Sequence, residues 1–202
     1  MFQLFLRGGP VMWPILVASV AALTIVIERI FFLIRAKRLR CPETVGKIFS
    51  EVEKGKADEA IRIGEGCDDF VAVTLVYGLR HRHKAFSNAL LQAANKELKR
   101  FSRGLPALDT VITLAPLLGL FGTVTGMIHA FGLLGGKELE APTVITGGIA
   151  EALIATAYGL ITAIVALIPF NYLNARLEEA RHEIEDATTY LELLLLKQDK
   201  SS

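Results

Sequence analysis

Residues 144–173 read VITGGIAEALIATAYGLITAIVALIPFNYL, a stretch in which Glu151 is the only charged side chain. A helix needs roughly twenty predominantly apolar residues to cross the hydrocarbon core of a bilayer, and this run exceeds that. The stretch therefore predicts a membrane-spanning helix that carries a carboxyl group within it. An ionised acid at such a depth costs on the order of 3 kcal/mol unless water, a partner or a proton relieves it, so Glu151 is read first as a functional group.

Two more runs, Val11 to Ile34 and Leu105 to Leu134, are long and apolar enough to span. The whole chain of 202 residues is 52% hydrophobic with a mean hydropathy of +0.44, too apolar for an ordinary soluble domain. An all-α membrane protein with three spanning helices follows. The formal net charge is only +1, which argues against a nucleic-acid partner, whose phosphates call for a strongly basic face.

Charge placement sets the expected topology. Arg35, Lys37, Arg38 and Arg40 follow the first span, Lys96, Lys99, Arg100 and Arg103 precede the second, and Arg176 and Arg181 follow the third. The other side carries only Arg7 and Lys137. By the positive-inside rule the amino terminus lies outside and the carboxyl terminus in the cytoplasm. The expected layout is a periplasmic terminus and first span over 1–34, a cytoplasmic helical loop over 35–104 and a second span over 105–134. A short periplasmic loop over 135–143, a third span over 144–173 and a cytoplasmic amphipathic helix over 174–202 complete it. The first span is expected to be a retained anchor, because its positive charges follow the apolar run and no small-residue cleavage site ends it.

The loop reads as helices over Glu43–Lys54, Ala57–Ile63 and Phe70–Arg103, with breaks at Gly55, Gly64 and Gly66. Its cysteines, Cys41 and Cys67, show no metal-ligand spacing, and the basic run from Arg80 to Lys84 makes His81 and His83 poor cation ligands. Neither a cofactor nor an enzyme active site is expected, since no nucleophile elbow, phosphate loop or paired-carboxylate pattern occurs in the polar segments. Beyond the third span Leu173, Leu177, Ala180, Ile184, Ala187, Leu191 and Leu194 recur at spacings of four and three. Such a seam packs against other helices. Two partners are open to it: helices of the same chain between 43 and 103, or other copies. Leu177, Ile184 and Leu191 are read as an oligomer seam, because three spans alone do not enclose a polar path around a buried acid.

The second and third spans are rich in small residues, Gly119, Gly122 and Gly126 in one and Gly148, Ala152, Ala155, Gly159 and Ala163 in the other. Small residues let helices approach closely in lipid, so these are expected packing positions. At 100° per residue Glu151, Ala155, Tyr158 and Thr162 share a stripe, as do Asp109, Pro116, Thr123 and Ala130, while Thr156 lies about 140° from Glu151. A threonine hydroxyl in a helix also has the option of bonding back to a carbonyl one turn earlier.

The stretches LAPLLGLFGTVTGMIHAF (114–131), GIAEALIATAYGL (148–160) and IPFNYL (168–173) resemble the MotA/TolQ/ExbB proton-channel family, and its ExbB branch most. The resemblance covers residues 105–175 and, less closely, the first span through Glu28-Arg29. It implies a homopentamer in the bacterial inner membrane around an ExbD-like single-span partner whose aspartate carries protons, and a TonB-like protein that receives the motion and energises outer-membrane transport. It further implies that Glu151, Thr123 and Thr156 line the proton pathway. Thr125 and Tyr158 depart from the family pattern, and His129 is closer to TolQ. A TolQ-like motor for envelope integrity, a MotA-like stator, and a passive scaffold or transporter are the rival readings. No span holds a mid-membrane aspartate, so the chain supplies a polar wall and needs a partner to complete a relay.

Overall fold

The computed structural model describes residue 5 and residues 7–83, 85–132 and 141–199; the expected outer loop, with Lys137, falls largely outside them. Among the described residues seven helices follow in order: α1 Met12–Arg38, α2 Pro42–Glu53, α3 Ala57–Gly64, α4 Phe70–Arg80, α5 Phe86–Ser102, α6 Leu105–Gly132 and α7 Ala141–Asp199. Among the described residues there is no strand. Three helical stretches of the described residues are long and apolar enough to cross a membrane, within Met12–Arg38, Phe86–Gly132 and Thr146–Lys197. The chain divides into two compact units, Met1–Arg29 with Gly104–Leu173, and Ile30–Arg103 with Asn174–Ser202.

The first unit is a helical hairpin of α6 and the first half of α7, joined by most of α1. In α1 Met12, Ile15, Ala18 and Ala22 are buried, whereas Trp13, Val17, Val20, Leu23 and Ile27 stay exposed. An apolar stripe left on the outside of a packed helix suits lipid hydrocarbon, not water. The turn into α6 is set by Gly104 at φ +81°, a left-handed conformation that favours glycine, with Pro106 in the first turn of the new helix, where no hydrogen bond is lost.

The second unit has a conventional buried core: Ile48, Val52, Ala60, Phe70, Val71, Leu75, Val76, Leu79 and Leu90 pack with Ala180, Ile184, Leu191 and Leu194. Asp69 starts α4 as an N-cap, its carboxylate accepting from the Val71 N–H at 2.9 Å. The expected single helix Phe70–Arg103 is instead two packed helices, Phe70–Arg80 and Phe86–Ser102. Gly78 makes their packing possible, because a Cβ there would sit 2.7 Å from Leu90 Cγ and 3.4 Å from the Phe86 ring. Two cations of the basic run are paired, Arg80 with Glu65 at 2.5 Å and Arg82 with Asp58 at 2.9 Å.

Two of the three residues read as an oligomer seam on α7, Ile184 and Leu191, are covered from within the chain, whereas Leu177 is left at an open groove. Ile184 and Leu191 are fully buried in the chain's own cluster, and Leu177 lines a groove of about 610 Å³ with Leu90, Leu91, Ala94 and Leu98 of α5. Periodicity reveals that a stripe is covered, not by which helix. Ile184→Asp is therefore expected to cost about 3–5 kcal/mol, the penalty of an unpaired buried charge, and to unfold the helices of this unit. Loss of helical signal on mild heating is the readout; a variant that changes only its oligomeric state would restore the intersubunit seam.

Candidate functional site

The small residues of the two spans form one antiparallel contact between α6 and α7. A Cβ added to Gly159 would meet Ala115 O at 2.5 Å and Gly119 Cα at 3.2 Å; one on Gly119 would meet Thr156 Cα at 2.9 Å. An added Cβ would likewise stand 2.6 Å from Ala155 Cβ at Gly122, 3.1 Å from Ala152 Cβ at Gly126 and 2.5 Å from Ala130 Cβ at Gly148. Residue numbers rise on one helix as they fall on the other, so the positions named for packing are used inside a single chain. Backbone-to-backbone approach of this kind is how helices associate without a hydrophobic drive.

Glu151 stands on one flank of that contact. It is half-buried, and no hydrogen bond or ion pair reaches its carboxylate from the described residues. Its side chain lies against the turn that precedes α1, where a Cβ on Gly9 would run into Glu151 Oε1 and sit 2.8 Å from Cδ and 3.2 Å from Cγ. The carboxyl is thus level with a point before α1 begins at Met12, towards one end of the bundle and away from its middle.

Thr156 stands on the other flank, about 140° around α7 and about 7.5 Å along its axis from Glu151. Its hydroxyl donates to the Gly119 carbonyl of α6 at 2.9 Å and also approaches the Ala152 carbonyl at 3.2 Å. Thr123 donates to the neighbouring carbonyl, Leu120, at 2.6 Å. The structure therefore brings Thr123 and Thr156 to consecutive carbonyls of α6 and leaves Glu151 apart. Back-bonding satisfies Thr123 within its own helix, whereas Thr156 ties two helices together.

Other charged groups were not legible from sequence. Arg29 is buried in the first span and its Nε donates to Glu28 Oε2 at 2.6 Å. In the second unit the buried Asp69 also accepts from the Cys41 N–H at 2.9 Å and pairs with Arg40 Nε at 3.2 Å, while the Arg40 guanidinium lies 4.7 Å over the Phe70 ring and also pairs with Glu183. Nearby, burial foremost and the Cys41 thiol second push the Cys67 thiol up to about 11, which makes it a poor nucleophile. The Gly8-Gly9-Pro10 run was the available signal for the turn on Glu151, and Asp69 before an apolar run was the signal for the cap.

Three apolar helices, a tight small-residue hairpin and the Glu151 carboxyl beside it define an α-helical integral membrane protein with a polar site in its bundle. The model of the MotA/TolQ/ExbB proton channel family matches residues 66–186, a range that holds Glu151, Thr123 and Thr156. The putative biopolymer transport protein ExbB-like 1 of Synechocystis sp. is 39% identical over 180 residues, 84% of this chain and 68% of the relative. The putative biopolymer transport protein ExbB homolog of Methanothermobacter thermautotrophicus is 31% identical over 187 residues, 91% of this chain and 66% of the relative. The Tol-Pal system protein TolQ of Haemophilus influenzae is 39% identical over 112 residues, 54% of this chain and 49% of the relative. The chain thus spans about two thirds of the ExbB-like relatives and half of TolQ. It belongs to the MotA/TolQ/ExbB proton channel family and is most like ExbB.

Proposed function

We propose that the chain is the channel subunit of an inner-membrane motor, N-out and C-in, in which five copies surround an ExbD-like single-span partner and the proton-motive force is converted into motion passed to a TonB-like protein. The observation that carries this reading is Glu151: a carboxyl within an apolar span of a proton-channel family member, with no hydrogen-bonded or ionic partner among the described residues. An ionisable residue inside a membrane-spanning segment marks an ion pathway by default. In the assembly Thr123 and Thr156 present hydroxyls to the proton path, and Glu151 acts on protons reaching the partner's carboxylate through charge and hydrogen bonding. After α6 and α7 have packed, Leu117, Phe121 and Ile128 on α6 and Leu153, Ile161 and Ile168 on α7 remain exposed, faces that neighbouring copies, the partner helix or lipid would cover. A TolQ-like role in envelope integrity draws support from His129 and the TolQ match, and both roles use the same chemistry.

Purification with a single-span protein that carries one mid-membrane aspartate tests the reading. Native mass spectrometry is expected to show five copies of this chain per complex, and proteoliposomes to pass protons only when both components are present. A monomer, or flux that ignores the partner's aspartate, overturns it.

A further inference from the structure

Gly9 is a glycine for two independent reasons. Its φ of +74° lies in the left-handed region, where an L side chain is strained, and the space its Cβ would take is occupied by the carboxyl of Glu151. The turn is pinned on both sides: Gly8 N–H donates to Phe5 O at 3.1 Å, Met12 N–H to Gly9 O at 3.2 Å and Trp13 N–H to Pro10 O at 3.3 Å. Gly8 fits equally closely, since a Cβ there would lie 2.6 Å from Met12 Cγ and Sδ and 3.0 Å from Ile154 Cγ2. Val11 completes the clasp, 3.6 Å from the Cβ position of Gly122. The turn before α1 is therefore fitted to the same face of α7 that carries Glu151, and it restricts the rotamers open to that side chain. It also lies outside the residues, 66–186, that define the family match.

We propose that Gly9 is a positioning residue for Glu151: the Gly8–Pro10 turn is the seat that holds the carboxyl in place, and its fit depends on the absence of a side chain at position 9. The proposal rests on the reading of Glu151 as part of the proton pathway for its functional consequence, but the seat itself is a matter of geometry. A methyl group at Gly9 must displace the carboxylate or the turn, because Glu151 Cγ and Cδ are in contact as well as the mobile oxygen. Misplacement of a working group by about an ångström costs activity by as much as a hundredfold.

The test compares Gly9→Ala with Gly55→Ala. Gly55 has the same left-handed backbone, φ +79°, but nothing within 4 Å of its Cβ position, so it reports backbone strain alone. In the complex with its partner, modification of Glu151 by a hydrophobic carbodiimide is followed by mass spectrometry alongside proton flux. Gly9→Ala is expected to change the modification rate several-fold and to lower flux by roughly ten- to a hundredfold, while Gly55→Ala leaves both unchanged. Gly9→Ala combined with Glu151→Asp, whose shorter side chain makes room for the methyl, is expected to show the modification rate of Glu151→Asp alone. An unchanged modification rate in Gly9→Ala overturns the seat, even if flux falls. A changed rate with normal flux keeps the seat and refutes the functional role of Glu151. If Gly9→Ala does not fold, Gly9→Ala in the Glu151→Asp background, set against Glu151→Asp alone, carries the comparison, and failure of the shorter acid to restore folding overturns the proposal.

Discussion

Glu151→Ala is expected to abolish proton flux and the uptake it energises while the chain still folds and still binds its partner. The carboxyl has no hydrogen-bonded or ionic partner among the described residues, so its removal breaks no network. It is half-buried beside the Gly9 turn, so the cavity left is open at one side and the cost in stability is small, about 1 kcal/mol. A structural role would give the opposite pattern, loss of folding with loss of function. Glu151→Gln separates the two chemical uses of the group, since the amide keeps size and hydrogen bonding but does not exchange a proton. If titration is the function, Gln is as inactive as Ala, a loss of at least about a hundredfold, the scale of general acid–base groups. If orientation of water or of the partner's acid is the function, Gln retains most of the flux. Full activity in Glu151→Ala at normal expression would leave the proton-channel reading with no residue in this chain to carry it.

What the sequence revealed depended on whether a signal was local. The three spans, the amphipathic continuation past Leu173 and the small-residue faces were legible because length, hydropathy and spacing are properties of one segment. The observed α7, Ala141–Asp199, runs through Pro169 without ending, since an apolar span has no competing conformation that satisfies its backbone. The division of Phe70–Arg103 into two helices was missed because it is imposed by Leu90 and Phe86 packing on Gly78, a contact between segments. The same limit explains the seam: Ile184 and Leu191 carried a clear stripe, but their partner in the chain's own core was not encoded in the stripe. Glu151 was found as an anomaly in composition, while its seat at Gly9 depends on a contact between positions far apart in sequence. Thr123 and Thr156 looked equivalent as hydroxyls in apolar spans, and only the packed helices distinguish a back-bonded group from one that links α6 to α7.

Gly159→Ala is expected to destabilise the chain by about 2 kcal/mol, in the range for forcing an extra methyl into a filled contact, although alanine is the better helix former by about 1 kcal/mol. The reason is what the methyl would meet: Ala115 O at 2.5 Å, Gly119 Cα at 3.2 Å and Ala115 C at 3.3 Å, all backbone. A flexible side chain can move aside, but backbone atoms yield only if the two helices separate, which also loosens the Thr156 bond to Gly119. Gly159→Leu should then leave little folded protein. Gly147→Ala, in the same helix with nothing within 4 Å of its Cβ position, supplies the contrast and should be neutral or slightly stabilising by helix propensity alone. Gly126→Ala should fall between the two, because its nearest neighbours stand at 3.1 Å and one of them is the Ala152 methyl. Denaturation of the purified protein in mild detergent, followed by circular dichroism, ranks the three. Equal stability of Gly159→Ala and Gly147→Ala would mean that α6 and α7 are not packed on their glycines. The positions of Glu151 and Thr156 on opposite flanks of that contact would then lose their basis as well.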